Sequence, residues 1–323
     1  MKSLPVTVRG KDGDRGKDAM KTCKLFFIHG IGNEGESADT INASWLKSLK
    51  AAWSRDGRPL DTVHLNTSAA FYGDKLADLT RTWLNDELSI IDQGVAEGEP
   101  LDTELITLYQ EYAETLIRPG TAAPPLGPEG QVVITEMGFP HNKAVKALAR
   151  VIEALSPENG NFLAKKFLPQ AAAYIRRPGA AATIDSIVEQ QLRNFLGMSS
   201  NALIVAHSLG TVVGYRILRK LSIGPHFPLF MTLGSPLGST AIQRVLPHPR
   251  TKPVNVDRWV NVADHRDFVA LHPELNERTF GNAQIANLEG IQNGKNNRHS
   301  IEGYLNNPIV SETLWNLIRE TAI

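Results

Sequence analysis

The chain has 323 residues, its 34 Lys and Arg balance its 34 Asp and Glu for a formal net charge of +0, and it has one cysteine. This balance argues against a basic nucleic-acid-binding face, and a lone cysteine excludes an intrachain disulfide. No apolar run reaches the roughly 18 to 20 residues of a membrane span, and residues 1–24 lack the apolar segment of a signal peptide. These features predict a soluble, cytoplasmic protein with no transmembrane segment and no nucleic-acid partner.

The first third of the chain begins an α/β pattern. Residues 1–20 are rich in Lys, Asp and Gly and are predicted to be a flexible arm, followed by one domain over 21–323. Residues 24–28 form an apolar strand, residues 41–55 have helical spacing with Thr40 as N-cap, and a second strand lies within 61–72. Strand, helix and strand in succession predict a parallel sheet.

A helical insertion is predicted at about 75–179. Apolar residues recur at helical spacing near 76–84, 105–116, 144–155 and 162–175, the last interrupted by Pro169. Segments rich in Pro and Gly at 94–100 and 119–130 separate these helices, and the only strand signal is at 132–134. The insertion is expected to leave the α/β core intact on both sides.

The core pattern resumes after the insertion. Helices are predicted over 184–196 and 212–221, and buried strands over 202–205, 229–233 and 259–262. A further strand is expected near 283–288 and a last helix over 311–320. Strands that alternate with helices in this way predict a doubly wound, mostly parallel sheet, whose functional groups gather at the carboxyl ends of the strands.

The strand over 202–205 runs directly into Ala206-His207-Ser208-Leu209-Gly210. A small-x-Ser-x-Gly motif between a buried strand and a helix is typical of a nucleophile elbow, which holds a serine hydroxyl exposed on a tight turn. Small residues at both ends are required because strand and helix backbones approach closely there. His207 is expected to point away from the hydroxyl and to support neighbouring loops.

The same edge of the predicted sheet has an acid and a histidine. Asp264 and Asp267 follow the strand over 259–262, and His299 lies in a polar loop after the last strand. A serine hydroxyl attacks a carbonyl only when a neutral imidazole accepts its proton, and a carboxylate must orient that imidazole. Either aspartate has a suitable position. His299 is favoured over the other histidines because it follows the last sheet element.

Serine, acid and histidine in this chain order resemble the α/β-hydrolase superfamily, apart from the insertion and the first residues. His29-Gly30 looks like that family's oxyanion loop, and the turn at 234–236 is similar to the Gly-(Ser/Thr)-Pro turn of lipase-like members. Asp267, followed by Phe268 and Val269, resembles the family's Asp-x-Val stretch, which favours Asp267 over Asp264 as the acid.

The resemblance implies a lipase-like or carboxylesterase-like hydrolase with the triad Ser208, Asp267 and His299. The backbone N–H groups of Ile31 and Leu209 are the expected oxyanion donors. The insertion would form a cap over the serine, and the substrate would be a lipid or a small-molecule acyl ester. The reaction would need no organic cofactor and no metal ion. A thioesterase or amidase with the same triad, and a non-catalytic binding protein of this fold, stay open as alternatives.

Residues 30–35 also match a G-x-G-x-x-G dinucleotide-binding turn. Such a turn requires a helix that begins inside the glycine motif and an acid at the end of a second strand about twenty residues later. Here the periodic helix begins only near residue 41, and Asp56 and Asp61 do not end a strand. The pattern therefore favours the hydrolase over a nucleotide-binding protein.

Overall fold

The computed structural model describes residues 21–59, 62–92, 103–116, 163–198, 201–281, 284–294 and 297–322. The described residues contain one parallel sheet of six strands in the order β2-β1-β3-β4-β5-β6, which confirms the predicted α/β class. Its strands are β1 (Lys21–Ile28), β2 (Val63–Ala69), β3 (Asn201–His207), β4 (His226–Leu233), β5 (Val256–Val262) and β6 (Ile285–Leu288).

Helices connect these strands. They are α1 (Ala38–Arg55), α2 (Gly73–Asp92), α3 (Thr103–Leu116), α4 (Leu168–Arg176), α5 (Ala180–Leu196), α6 (Leu209–Lys220), α7 (Thr240–Gln243), α8 (Ile301–Asn306) and α9 (Pro308–Thr321). The described parts of the predicted insertion are helical, whereas the predicted arm at 1–20, the strand at 132–134 and the helix at 144–155 lie outside the described residues. None of the described helices combines the length and the hydrophobicity needed to cross a lipid bilayer.

Side chains on the central strands alternate between two apolar clusters, one on each face of the sheet. Phe26, Ile204 and Phe230 belong to the cluster that includes α5 and α6, whereas Phe27 and Val205 belong to the cluster that includes α1 and α9. Since both faces are covered, these strands are continuous apolar runs rather than alternating ones. For this reason, the two-residue alternation of apolar and polar side chains that marks a half-exposed strand is absent from their sequence.

Helices α1, α5, α6 and α9 begin three or four residues earlier than predicted, and the first and last of them show how their N-termini are capped. Helix α1 begins three residues earlier than predicted, and its N-cap is Ser37, whose hydroxyl accepts a hydrogen bond from the Thr40 N–H at 3.1 Å. Thr40 is instead the third helical residue, and its hydroxyl accepts from the Ser37 N–H at 2.9 Å, which completes a capping box. The last helix begins at Pro308, where the missing proline N–H costs no helical hydrogen bond.

The strand order reverses between β1 and β3, and the backbone of α6 lies close to the end of β1 at this position. A Cβ atom at Gly210, in the first turn of α6, would lie 2.5 Å from the carbonyl oxygen of Ile28 and would also overlap that of His29. This contact explains the requirement for glycine at the second small position of the elbow motif. Ligands of doubly wound sheets bind at such a reversal, beyond the carboxyl ends of the strands.

We expect Gly210→Ala to lower the free energy of unfolding by about 2 kcal/mol or more, because the added methyl group meets backbone oxygens that cannot rotate away. Chemical denaturation of the purified variant measures this loss. Gly294→Ala is the matched control, since a Cβ there meets nothing within 4 Å. Equal stability of the two variants would contradict the close approach of α6 and β1.

Candidate active site

Ser208 lies on the turn between β3 and α6 with φ 56° and ψ −133°, and it is the one non-glycine residue with positive φ in the described part of the chain. Its N–H donates to the Leu233 carbonyl at 3.0 Å, and its own carbonyl accepts from the Thr211 N–H at 2.9 Å. These bonds hold a strained backbone that an L-residue adopts only when its surroundings impose it. The side chain is 1% exposed, and its Oγ makes no hydrogen bond to a described residue.

The loop after β1 lies directly against Ser208. A Cβ atom at Gly30 would lie 2.5 Å from Ser208 Cβ and 3.0 Å from its Oγ, so only glycine fits. The Ile31 and Leu209 N–H groups, the expected oxyanion donors, flank this contact along the chain. Among the described residues, neither N–H group donates a backbone hydrogen bond outside the helices and strands. Leu209 is the first residue of α6, and the N–H groups in the first turn of a helix have no partner within the helix.

His299 forms a buried pair with Asp267. Its Nδ1 lies 2.9 Å from Oδ1 and 2.8 Å from Oδ2 of the carboxylate. The same carboxylate accepts the Val269 N–H at Oδ1 (2.8 Å) and the Tyr304 hydroxyl at Oδ2 (2.7 Å). Three donors therefore fix the plane of the Asp267 carboxylate, and the imidazole faces it through Nδ1. The contribution of Tyr304 has no signal in the sequence, because no motif marks it.

Asp264, the alternative acid, has other partners. Its Oδ1 accepts the Arg266 N–H at 2.8 Å, and its Oδ2 accepts the Asn293 N–H at 2.7 Å and the Arg298 guanidinium at 3.2 Å. The side chain is fully buried. The structure thus places Asp267, not Asp264, against the imidazole of His299, and it places Asp264 between the turn after β5 and the loop that contains His299.

Two contacts bring His299 next to the elbow. A Cβ atom at Gly234, which follows Leu233 at the end of β4 and has φ 55°, would lie 2.6 Å from Asp267 Oδ2 and 3.0 Å from His299 Nδ1. The Ser208 N–H bonds to Leu233 itself, so the serine and the imidazole flank the same turn. The glycine of the Gly-Ser-Pro turn is therefore required by both its backbone conformation and its proximity to the acid and the imidazole.

His207 supports the loop that contains His299. Its Nε2–H donates to the His299 carbonyl at 2.9 Å, and the centroids of the two imidazole rings are 4.5 Å apart. Burial, followed by the proximity of His299, lowers the pKa of His207 well below its usual range. A neutral, structural His207 agrees with the expectation from the sequence.

His29 is a second buried, neutral imidazole. Its Nδ1–H donates to the Gly30 carbonyl at 2.6 Å, and its Nε2 accepts the Tyr72 N–H at 3.2 Å. Burial lowers the pKa of His29 to about 4 despite the favourable Gly30 contact. If Nε2 were protonated, its hydrogen would face the hydrogen of the Tyr72 N–H and the bond between them would be lost. This histidine therefore fixes the loop after β1 only while it is neutral.

The glycine-rich segment at 30–35 does not open a helix. Gly32 and Gly35 have positive φ, and α1 begins only at Ala38, after the Ser37 cap. Asp56 caps the C-terminus of α1 beside Arg55 rather than ending a second strand. In the described ranges, no three His, Cys, Asp or Glu side chains are grouped so as to hold a metal ion.

We expect the free energy of unfolding to fall as pH decreases from about 6.5 to 4, in part because of His29. The unfolded chain protonates this histidine near pH 6.5, whereas the folded pKa is about 4, so its contribution to stability is present above pH 6.5 and is lost toward pH 4. The slope is at most about 1.4 kcal/mol per pH unit.

Urea denaturation of wild type and His29→Gln between pH 7 and pH 4 measures this slope. The variant is expected to be less stable at pH 7 but to have the shallower dependence on pH, because glutamine does not titrate. Identical slopes would contradict a neutral, buried His29.

Comparisons of the chain with protein-family models, with curated proteins and with solved structures found no match. The geometry of this chain is therefore the evidence on the roles of Ser208, His299 and Asp267. It brings a strained serine and a histidine–carboxylate pair to one edge of a parallel sheet.

Proposed function

We propose that this protein is a serine hydrolase that cleaves carboxylic esters through an acyl-enzyme intermediate. Ser208 is the nucleophile, His299 the general base and acid, and Asp267 the group that orients the imidazole. The fold of the α/β-hydrolase superfamily accommodates this arrangement, with α2, α3 and α4 as the described part of a helical cap. A reducing compartment such as the cytoplasm suits the single buried cysteine, Cys23.

The observation that carries the proposal is the buried His299–Asp267 pair, at 2.8 Å, beside the turn that strains Ser208. Backbone strain concentrates at functional sites because it has no structural advantage of its own. A carboxylate on Nδ1 leaves Nε2 of the imidazole as the nitrogen that exchanges protons with a substrate or a hydroxyl. A strained serine and an oriented imidazole are the two parts that nucleophilic acyl transfer needs.

In the first half-reaction, Ser208 Oγ attacks the acyl carbon while its proton moves to His299 Nε2. The carbonyl oxygen becomes an oxyanion that accepts hydrogen bonds from the Ile31 and Leu209 N–H groups. Loss of one such donor raises the activation barrier by about 3 kcal/mol. Collapse of the tetrahedral intermediate breaks the ester C–O bond. The imidazolium then gives its proton to the departing alkoxide, which leaves as an alcohol.

In the second half-reaction, water attacks the acyl-enzyme and His299 Nε2 takes the proton of that water. The second tetrahedral intermediate expels Ser208, which regains its proton from the imidazolium, and the carboxylic acid is released. Asp267 remains ionised throughout and stabilises the imidazolium through Nδ1–H. The hydrogen bond between Ser208 Oγ and His299 forms on substrate binding, as catalytic hydrogen bonds commonly tighten in the Michaelis complex.

The cap assignment is supported by contacts between α3 and the strand ends. The Tyr112 hydroxyl donates to the Val269 carbonyl at 3.1 Å, two residues from Asp267. The Glu111 carboxylate accepts the Ser239 hydroxyl at 2.6 Å and the Thr240 N–H at 3.0 Å. These bonds hold α3 next to the acid and next to the Gly-Ser-Pro turn, and the apolar side chains of that helix suit the acyl chain of an ester.

The proposal predicts hydrolysis of p-nitrophenyl esters by the wild type and a loss of at least about 10⁴-fold in kcat for Ser208→Ala, because alanine has no hydroxyl to attack the acyl carbon. A series of acyl lengths measures the size of the acyl site. Parallel thioester and anilide substrates separate an esterase from a thioesterase or amidase. An inactive wild type, or an equally active folded variant, would overturn the proposal and favour a non-catalytic binding protein.

The two aspartates are expected to respond differently to substitution. Asp267→Asn lowers kcat about 10³- to 10⁴-fold with little change in KM, because an amide no longer selects the Nδ1–H tautomer or stabilises the imidazolium. Asp264→Asn mainly lowers stability, since it leaves the partly buried Arg298 guanidinium without its carboxylate. Steady-state kinetics and thermal melts of both variants check this difference, and a larger kcat loss for Asp264→Asn would reassign the acid.

A further inference from the structure

We infer that Asn293 is a positioning residue that holds the backbone of His299, so that the imidazole stays in place between Ser208 and Asp267. The inference rests on the proposed function, because it assigns Asn293 a role through the catalytic base. Asn293 touches neither Ser208 nor Asp267 by hydrogen bonds among the described residues. Its effect on the reaction is therefore indirect and separable from theirs.

The Asn293 side chain bonds to both sides of His299. Its Nδ2 donates to the Arg298 carbonyl at 2.9 Å and to the Ser300 carbonyl at 2.8 Å, and these are the residues directly before and after the histidine. An amide nitrogen has two hydrogens, so both are used. One side chain thereby fixes the peptide group that precedes His299 and the peptide group that follows Ser300, so the backbone is held on both sides of the histidine.

His299 needs such support because it lies outside any helix or strand. Its own N–H donates to Asn297 Oδ1 at 3.0 Å, and its carbonyl accepts from His207. Buried backbone groups in an irregular segment need partners other than a regular ladder, and here two side chains satisfy the N–H and the carbonyl of His299. The bonds from Asn293 Nδ2 join this segment to the loop after β6, as does the bond from the Arg298 guanidinium to the Asn293 carbonyl at 3.4 Å.

Asn293 is itself held from three directions. Its N–H donates to Asp264 Oδ2 at 2.7 Å, and its Oδ1 accepts the Gly294 N–H at 2.8 Å. A Cβ atom at Gly303 in α8 would overlap Asn293 Oδ1 and lie 2.6 Å from its Cγ, so the glycine leaves the space that the amide occupies. The side chain is 5% exposed. This packing allows one orientation of the amide.

Loss of the two amide donors would let the 297–300 segment relax and would move the imidazole away from the line between Ser208 and Asp267. A displacement of about 1 Å in a catalytic group lowers the rate roughly 100-fold. Substrate binding does not use the imidazole as a main contact, so KM should change little. We therefore expect Asn293→Ala to lower kcat about 10- to 100-fold at nearly constant KM.

Asn255 is a matched control at the other end of the sheet. It is also buried, and its Nδ2 also donates to two backbone carbonyls, those of Leu221 (2.5 Å) and Pro225 (3.4 Å), just before β5. Asn255→Ala removes the same kind of clamp far from the strand ends that bear the site. It should lower stability as Asn293→Ala does, while kcat stays within about twofold of wild type.

The decisive experiment is a double-mutant cycle with p-nitrophenyl acetate. If Asn293 acts through His299, the kcat of His299→Ala/Asn293→Ala equals that of His299→Ala within about twofold, because the group to be positioned is gone. A general structural role would lower kcat again by the full factor seen in the single variant. That additive result, or a kcat for Asn293→Ala no lower than for Asn255→Ala, would overturn the inference.

Two further variants keep the test decisive if Asn293→Ala does not fold. Asn293→Ser keeps a small polar side chain that cannot reach both carbonyls, and Gly303→Ala displaces the amide without deleting it. Both should reproduce the loss of kcat, and normal kcat in folded forms of both would overturn the inference. A failure of the proposed function would give a different result. In that case Ser208→Ala and His299→Ala would leave ester hydrolysis unchanged, regardless of the effect of Asn293→Ala.

Discussion

The close approach of the loop after β1 to the elbow after β3 is the constraint on which the site depends. Gly30 contacts the Ser208 side chain, and Gly210 contacts the carbonyl groups that end β1, so neither position has room for a side chain. The parallel pairing of β1 with β3 imposes this approach, because it brings both strand ends to one edge where the strand order reverses. The strained φ of Ser208 occurs at the same contact.

Around this contact, the polar groups divide into those that face the His299 imidazole and those that hold the loops. Asp267 belongs to the first group, and Asp264, three residues earlier, belongs to the second. Tyr304 links the backbone of Asp264 to the carboxylate of Asp267, because its hydroxyl accepts the Asp264 N–H at 3.0 Å and donates to Asp267 Oδ2 at 2.7 Å. Hence the turn after β5 orients the acid and at the same time anchors the loop of the imidazole.

The histidines show a similar division by environment. His29 and His207 are buried and have lowered pKa values, so they are neutral hydrogen-bonding groups that set the two loops on either side of Ser208. His299 instead has a carboxylate on Nδ1, which is the partner that stabilises an imidazolium during proton transfer. Three imidazoles close together can therefore have different roles, because only one of them has a negative partner.

The sequence by itself determined the alternation of strands and helices, the elbow motif and the order of serine, acid and histidine, because these depend on local periodicity and on residues adjacent in the chain. Periodicity placed α1 correctly but not its Ser37 cap, since cap geometry depends on loop conformation. Only the tertiary structure shows that Asp267, rather than Asp264 on the same turn, lies against the His299 imidazole. It also brought Tyr304 and Asn293 to the site, because their partners are distant in the chain or carry no motif, and packing of separate elements alone creates such contacts.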